Sequence, residues 1–247
     1  MKIEICLESV ESVIAAERGG ADRVEFCADL FEGGITPSLG AFTTARKHSS
    51  IPMMVMIRPR SGDFCYSEIE FETMKEDVKL FRDAGAEGLV FGILKPNGEV
   101  DVERTRELVE LARPCEVTFH RAFDMTPDPF VAMEALIELG IERILTSGQE
   151  ATAFEGAPLL RKLVVQAADR IIIMPANGIS ERNFAYLQEQ IGAPEYHLFL
   201  PAAVESKMTY RPDHIYMGGL LRQPEFDIFH THQGRVKEIV SLKGGKA

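Results

Sequence analysis

Short runs of hydrophobic residues along this chain alternate with polar ones, and most of them carry a reactive side chain near the C-terminal end. Ile3, Ile5 and Leu7 alternate with Glu4, Cys6 and Glu8; Val24 and Phe26 alternate with Glu25 and Cys27. Val55 and Ile57 alternate with Met56 and Arg58, and Val117 and Phe119 with Thr118 and His120. Successive side chains on a strand point to opposite faces. Each run therefore predicts a strand with one apolar face and one face of acid, thiol, guanidinium or imidazole. Strand patterns fall near 2–7, 22–27, 53–58, 88–92, 115–120, 142–146, 171–175 and 195–199. Helical patterns lie between them, such as the single apolar stripe of Phe71, Met74, Val78 and Phe81. Thr36-Pro37-Ser38 and Thr126-Pro127-Asp128 predict helix starts, with a capping hydroxyl followed by proline in the first turn.

A weak repeat runs through this alternation. Gly20, Gly85, Gly140 and Gly192 each follow a helical pattern and precede a strand by two or three residues. Glycine in the left-handed conformation ends a helix in this way. The spacing of the four glycines is about twice the length of a βα unit, so four double units give eight strands and eight helices. The expected fold is α/β, a closed parallel (β/α)8 TIM barrel forming a single domain over 1–247. From about 201 the pattern becomes irregular, and 233–243 reads as the last helix. An open doubly wound sheet is the alternative, but the regular repeat offers no point where strand order would reverse. In a barrel the strand C-termini and following loops carry the site. The polar alternate set would then line the upper barrel.

Composition narrows the partners. The net charge is −11 with no basic cluster, and a phosphate backbone needs grouped Lys and Arg, so nucleic acid is not expected. No apolar stretch approaches the length of a membrane span. The strand pattern starting at Lys2 leaves no room for a secretory leader, and four widely spaced cysteines do not make a disulfide framework. A reducing, cytoplasmic setting with free thiols is expected. Phosphate-binding loops, nucleophile elbows and His-Glu-x-x-His sequences do not occur.

Several stretches resemble one family. Glu4-Ile5-Cys6, Gly19-Gly20-Ala21-Asp22-Arg23-Val24-Glu25-Phe26-Cys27, Glu32-Gly33-Gly34-Ile35-Thr36-Pro37-Ser38 and Met56-Ile57-Arg58-Pro59-Arg60-Ser61-Gly62-Asp63-Phe64 are similar to the CutC copper homeostasis proteins. So are Thr118-Phe119-His120-Arg121-Ala122-Phe123-Asp124, Leu145-Thr146-Ser147-Gly148 and Met174-Pro175. The resemblance runs from about residue 3 to about 220. It implies a (β/α)8 barrel, a cytoplasmic homodimer and a role in copper handling, with no particular reaction attached. Two stretches depart from the family's usual pattern. Ala176-Asn177-Gly178 stands where a glycine triplet is usual, and Leu198-Phe199-Leu200-Pro201 follows His197 where a Cys-Ser-Ala-Arg-like stretch is usual. Any anion site carried over from the loops after strands 7 and 8 is therefore weakened here.

Two constellations could carry chemistry. Cys6 and Cys27 lie on adjacent strands, roughly 4.8 Å apart, so one Cu(I) ion could reach both sulfurs; thiolates select that soft ion. The alternative is that both are small buried hydrophobes. Glu8, Glu25 and His120 could share acid–base work, while Arg58, Arg60 and Arg121 hold an anionic or hydroxylated ligand. The alternative is a self-satisfied ion network of Glu4 and Glu25 against Arg58. Asp63, Asp124, Ser147, Asn177 and His197 are further ligand-contact candidates. Ser147-Gly148 would offer backbone N–H groups to an anion. His230-Thr231-His232 resembles a chelating pair but lies outside the regular pattern. Two functions follow: a protein that binds Cu(I), or a barrel enzyme acting on a small polar or anionic metabolite.

Overall fold

A computed structural model describes residues 1–218 and 222–243. Eight parallel strands form one nearly closed barrel: β1 (Lys2–Leu7), β2 (Arg23–Phe26), β3 (Met53–Met56), β4 (Gly88–Phe91), β5 (Glu116–Phe119), β6 (Arg143–Thr146), β7 (Ile172–Pro175) and β8 (Glu195–Leu198). Ladder pairing runs β7-β6-β5-β4-β3-β2-β1-β8; β7 and β8 lie side by side at the remaining seam. Helices α1 (Val10–Gly19), α2 (Leu39–His48), α3 (Glu68–Asp83), α4 (Val102–Ala112), α5 (Pro129–Glu138), α6 (Ala157–Ala167), α7 (Phe184–Ile191) and α8 (Gln233–Ser241) follow the strands in turn.

The alternation of the sequence sorts the side chains as expected. Ile3, Ile5, Leu7, Val24, Phe26, Val55, Ile57, Val117 and Phe119 pack outward in one core with Val13, Phe42, Phe71, Met74, Val78 and Phe81 of the helices. Cys6, Cys27, Met54, Met56 and Val90 form a separate cluster inside the ring, and Leu145, Met174 and Ala176 another. All four repeat glycines have φ between 70 and 88°. The residues three places after them, Arg23, Gly88, Arg143 and Glu195, each open an even-numbered strand. Those five places after, Glu25, Val90, Leu145 and His197, sit one inward step higher on the same strands. Interior layers of a barrel are drawn from alternate strands in this manner. Glycine at 88 makes room for Met54, whose side chain occupies the space a Cβ there would need.

Two local expectations shift. The helix caps are Ser38, accepting from the Ala41 N–H, and Asp128, accepting from the Phe130 and Val131 N–H groups, not Thr36 and Thr126. Thr36 instead pairs with the backbone of Arg58. Its hydroxyl is drawn to the end of β3 because the loop after β2 passes there. The segment from 201, expected to be irregular, contains an antiparallel hairpin of β9 (Pro201–Glu205) and β10 (Asp227–Thr231) between β8 and α8. Most of its residues are exposed, so no buried face imposed a readable period on the sequence.

Gly156 closes the loop after β6 against α6. A methyl group there would run into the carbonyl oxygen of Ser147 and the backbone of Gly148. Overpacking of this kind costs about 1–3 kcal/mol, occasionally more. Gly156→Ala is expected to destabilise the protein by roughly that amount in urea unfolding; an unchanged midpoint would show that the loop yields freely.

Candidate functional site

The floor of the barrel interior is ionic. Arg23 reaches both Glu4 and Glu195. Arg143 Nε lies 3.1 Å from Glu195 Oε2, and its Nη2 lies 2.8 Å from Glu116 Oε2. Higher up, Glu4 Oε1 meets His197 Nδ1 at 2.7 Å. His197 Nε2 is 3.7 Å from Glu25 Oε2, which lies 3.3 Å from Cys6 Sγ and 3.5 Å from Cys27 Sγ. A continuous line of groups thus runs from Glu116, half exposed at the bottom, through buried Arg143, Glu195, Arg23, Glu4 and His197 to the thiols.

The electrostatics follow from this order. Burial opposes ionisation of Glu4, but Arg23 and His197 overcome it and hold the carboxyl down at about 2. A thiol hydrogen bond from Cys27, working against burial and aided by His197, brings Cys6 down to about 5. Cys27 goes the opposite way, well above the usual thiol range, because it donates to Cys6 and is buried. Burial, and then the neighbouring Cys6 thiolate, raise Glu25 well above the usual carboxylate range, against the pull of His197. Burial alone would discharge His197, but the Glu25, Cys6 and Glu4 groups around it outweigh that and hold it as imidazolium. At neutral pH the mouth therefore presents a Cys6 thiolate and a Cys27 thiol beside the Glu25–His197 pair.

Above these groups lies a cavity of about 210 Å³ lined by Cys6, Glu25, Met56, Arg58, His120 and His197 among others. A second lobe, sharing Cys6, Arg121 and His197, extends to Asn177 and Phe199. Cys6, Cys27, Glu25, Arg58, His120, Arg121 and His197 are thus gathered at one end of the barrel.

Other candidates are placed differently. Glu8 is exposed one residue beyond β1, where it accepts the Leu30 N–H at 2.8 Å and fixes the loop after β2. Arg60 lies over the Tyr66 ring and pairs with Glu70 and Asp63, outside the cavity; Asp63 is largely exposed. Glu4 pairs with Arg23 and His197, so the alternative network of Glu4 and Glu25 against Arg58 does not form. Asp124 accepts from Thr146 Oγ1 and from the backbone N–H groups of Ser147 and Gln149. The N–H donors expected to greet an anion after β6 are therefore already held, that of Ser147 by the Asp124 carboxylate and that of Gly148 by the Thr146 hydroxyl. Ser147 is buried and donates to the Glu150 carbonyl at 2.6 Å. Asn177, at φ 70°, is exposed and donates to the Ala151 carbonyl at 2.7 Å. His230 contacts Ser9, while His232 caps α8, so the two do not chelate together.

Sequence reasoning passed over Arg23, Arg143, Glu116 and Glu195 as site residues. The signal was present, since each is a charged residue opening a strand at an inward position.

A ring of parallel strands with alternating helices, polar inside and open over the strand C-termini, defines a TIM-barrel protein whose site is built on the barrel's own interior layers. Residues 1–200 match the CutC family, and the chain belongs to that family of copper homeostasis proteins. A human copper homeostasis protein cutC homolog is 46% identical over 240 residues, covering 97% of this chain and 88% of the human protein. A CutC family protein of Mesorhizobium japonicum is 50% identical over 217 residues, 88% of this chain and 84% of that one. A crystal structure described as a copper homeostasis protein CutC from Streptococcus agalactiae superposes with a TM-score of 0.76 at 32% identity, over 80% of this chain and 97% of that one. Phosphoribosylanthranilate isomerase from Thermotoga maritima, at 12% identity and a TM-score of 0.57 over 99% of this chain and 100% of that one, shares the fold alone.

Two measurements test the electrostatics. Thiolate absorbance near 240 nm should rise with a midpoint near pH 5 for Cys6, and Cys27→Ala should move it upward by removing the thiol donor. An unmoved midpoint would reject the pairing. A carboxyl lowered in the folded state gives stability that is complete above its unfolded value, model 4.5, and lost as pH falls toward about 2. Urea stability should therefore drop between pH 5 and pH 2.5, by less in Glu4→Gln than in the parent; equal drops would remove Glu4 from the account.

Proposed function

We propose that the protein binds Cu(I) as cargo through Cys6 and Cys27, in a reducing cytoplasm, and that its homodimer forms through the outer helices. The observation that carries this reading is the donor set. Cys6, Glu25 and Cys27 each offer a ligand atom, all within 4.8 Å of one another and all buried. Two sulfurs at that separation suit one soft ion placed between them, at a metal–sulfur distance of about 2.3 Å.

Charge supports the same assignment. Cys6 is already a thiolate, so only Cys27 has to release a proton when the ion enters. Cu(I) between two thiolates carries one net negative charge, and the His197 imidazolium stands beside it as counter-charge. Glu25 Oε2 lies 3.3 Å from Cys6 Sγ and 3.5 Å from Cys27 Sγ. Its Oε1 is buried without a partner and is free to face the ion. The expected dimer contact is supported by exposed apolar residues on the outer helices, among them Ile69, Val131 and Val165.

The test is Cu(I) titration of reduced protein against a competing chelator. One ion per chain should bind with release of close to one proton at pH 7. Cys6→Ser and Cys27→Ser should each weaken binding at least about tenfold, or 1.4 kcal/mol. Equal affinity in parent and both variants would show that the thiols serve packing alone.

A further inference from the structure

The side of the mouth built from the ends of β3, β5 and β6 has features that copper capture does not use. Arg58 is buried at 6% exposure. Its Nη1 donates to the Glu32 and Gly34 carbonyls at 2.9 Å each, and its Nη2 to the Gly62 carbonyl at 3.0 Å. Its Nε is buried with no partner. Among the described residues no carboxylate lies within ion-pair distance of it, and carbonyls satisfy N–H groups without neutralising the charge. A buried cation lacking its counter-ion is costly.

His120 stands next to it. At 3% exposure its Nδ1 accepts the Ala122 N–H at 3.1 Å, which places the ring proton on Nε2. That Nε2–H is buried and unpartnered. The ring is kept neutral by burial and by Arg58, which take it down to about 3. Phe64 packs against both groups, with ring centroids 4.9 Å from His120 and 5.3 Å to the Arg58 guanidinium. Arg121 commits Nε to Asp124 and Nη2 to Ser147, and its Nη1 makes no hydrogen bond among the described residues. All three line the same cavity, whose remaining walls include Phe64, Met56 and Leu145.

We propose that this half of the mouth binds a small organic carboxylate with an oxygen on the adjoining carbon, the 2-oxo acid class. The carboxylate faces Arg58 and Arg121, the adjoining oxygen accepts from His120 Nε2–H, and a short apolar chain lies against Phe64, Met56 and Leu145. A phosphate dianion fits less well. It would sit near the Cys6 thiolate and the rim carboxylate of Glu32, and the backbone N–H groups after β6 that would cradle it are held by Asp124 and the Thr146 hydroxyl. This inference goes beyond the copper reading and does not depend on it.

The experiment uses metal-free, reduced, full-length protein with pyruvate as probe, and acetate and inorganic phosphate as comparators, followed by ligand-observed NMR and calorimetry. Pyruvate should bind saturably and acetate at least about tenfold more weakly, the difference expected for one lost hydrogen bond to a buried donor. Phosphate should not displace pyruvate. Arg121→Gln should weaken pyruvate about tenfold. His120→Asn keeps an acceptor for the Ala122 N–H and removes the donor from the Nε2 position, its own amide N–H groups lying nearer the backbone, so it should abolish the preference for pyruvate over acetate. Circular dichroism confirms that both variants are folded; Arg58, which ties two loops together, is left intact. Absence of saturable pyruvate binding, displacement by phosphate, or unchanged binding in both folded variants would overturn the proposal. Each result can be obtained whether or not the thiols bind copper.

Discussion

The grip of Arg23 and Arg143 on Glu195 is the interaction on which the rest of this structure depends. All three are buried inside the ring of strands, where an unmatched charge would be strongly unfavourable. Alternation of sign is the solution: each guanidinium lies between carboxylates, and each buried carboxylate meets cations. Because Arg23 also fixes Glu4, and Glu4 fixes His197, the protonation of the mouth is set from the floor upward. The Cys6 thiolate is stabilised by neighbours that are themselves held from below.

The loops above use the same economy in another form. Arg58 ties the loop after β2 to the loop after β3 through carbonyls. Asp124 holds the turn after β6 through backbone N–H groups. Glu8 anchors the loop after β2 from the end of β1. Each is an ionisable residue spent on main-chain geometry, and together they shape the opening over the thiols. Arg58 differs from the other two in being buried without a counter-ion, since Asp124 pairs with Arg121 and Glu8 is exposed.

Much of the fold was legible because strands buried on one side by helices must alternate strictly, and because the four glycines mark helix ends at a constant step before a strand. The convergence of Cys6, Cys27, His120 and His197 follows from that periodicity. What stayed hidden was direction at the strand ends. Glu8 continues the alternation of β1 in sequence, yet the strand stops at Leu7 and the side chain is free to turn outward. Arg60 lies two residues past Arg58, but the loop has already left the barrel and Glu70 captures it. Asp124 read as a ligand contact because nothing in the sequence shows that the turn after β6, more than twenty residues later, needs its oxygens. The hairpin of β9 and β10 escaped notice because an exposed ribbon imposes little pattern on its residues.

In most barrels of this kind the end that works and the end that holds the molecule together are separable, which lets the former diversify while the latter stays fixed. The half-exposed Glu116 marks where that division fails here, since it terminates a line of charges whose other terminus is the thiol pair. A sequence drifting at the bottom rim would thus retune the top without touching it.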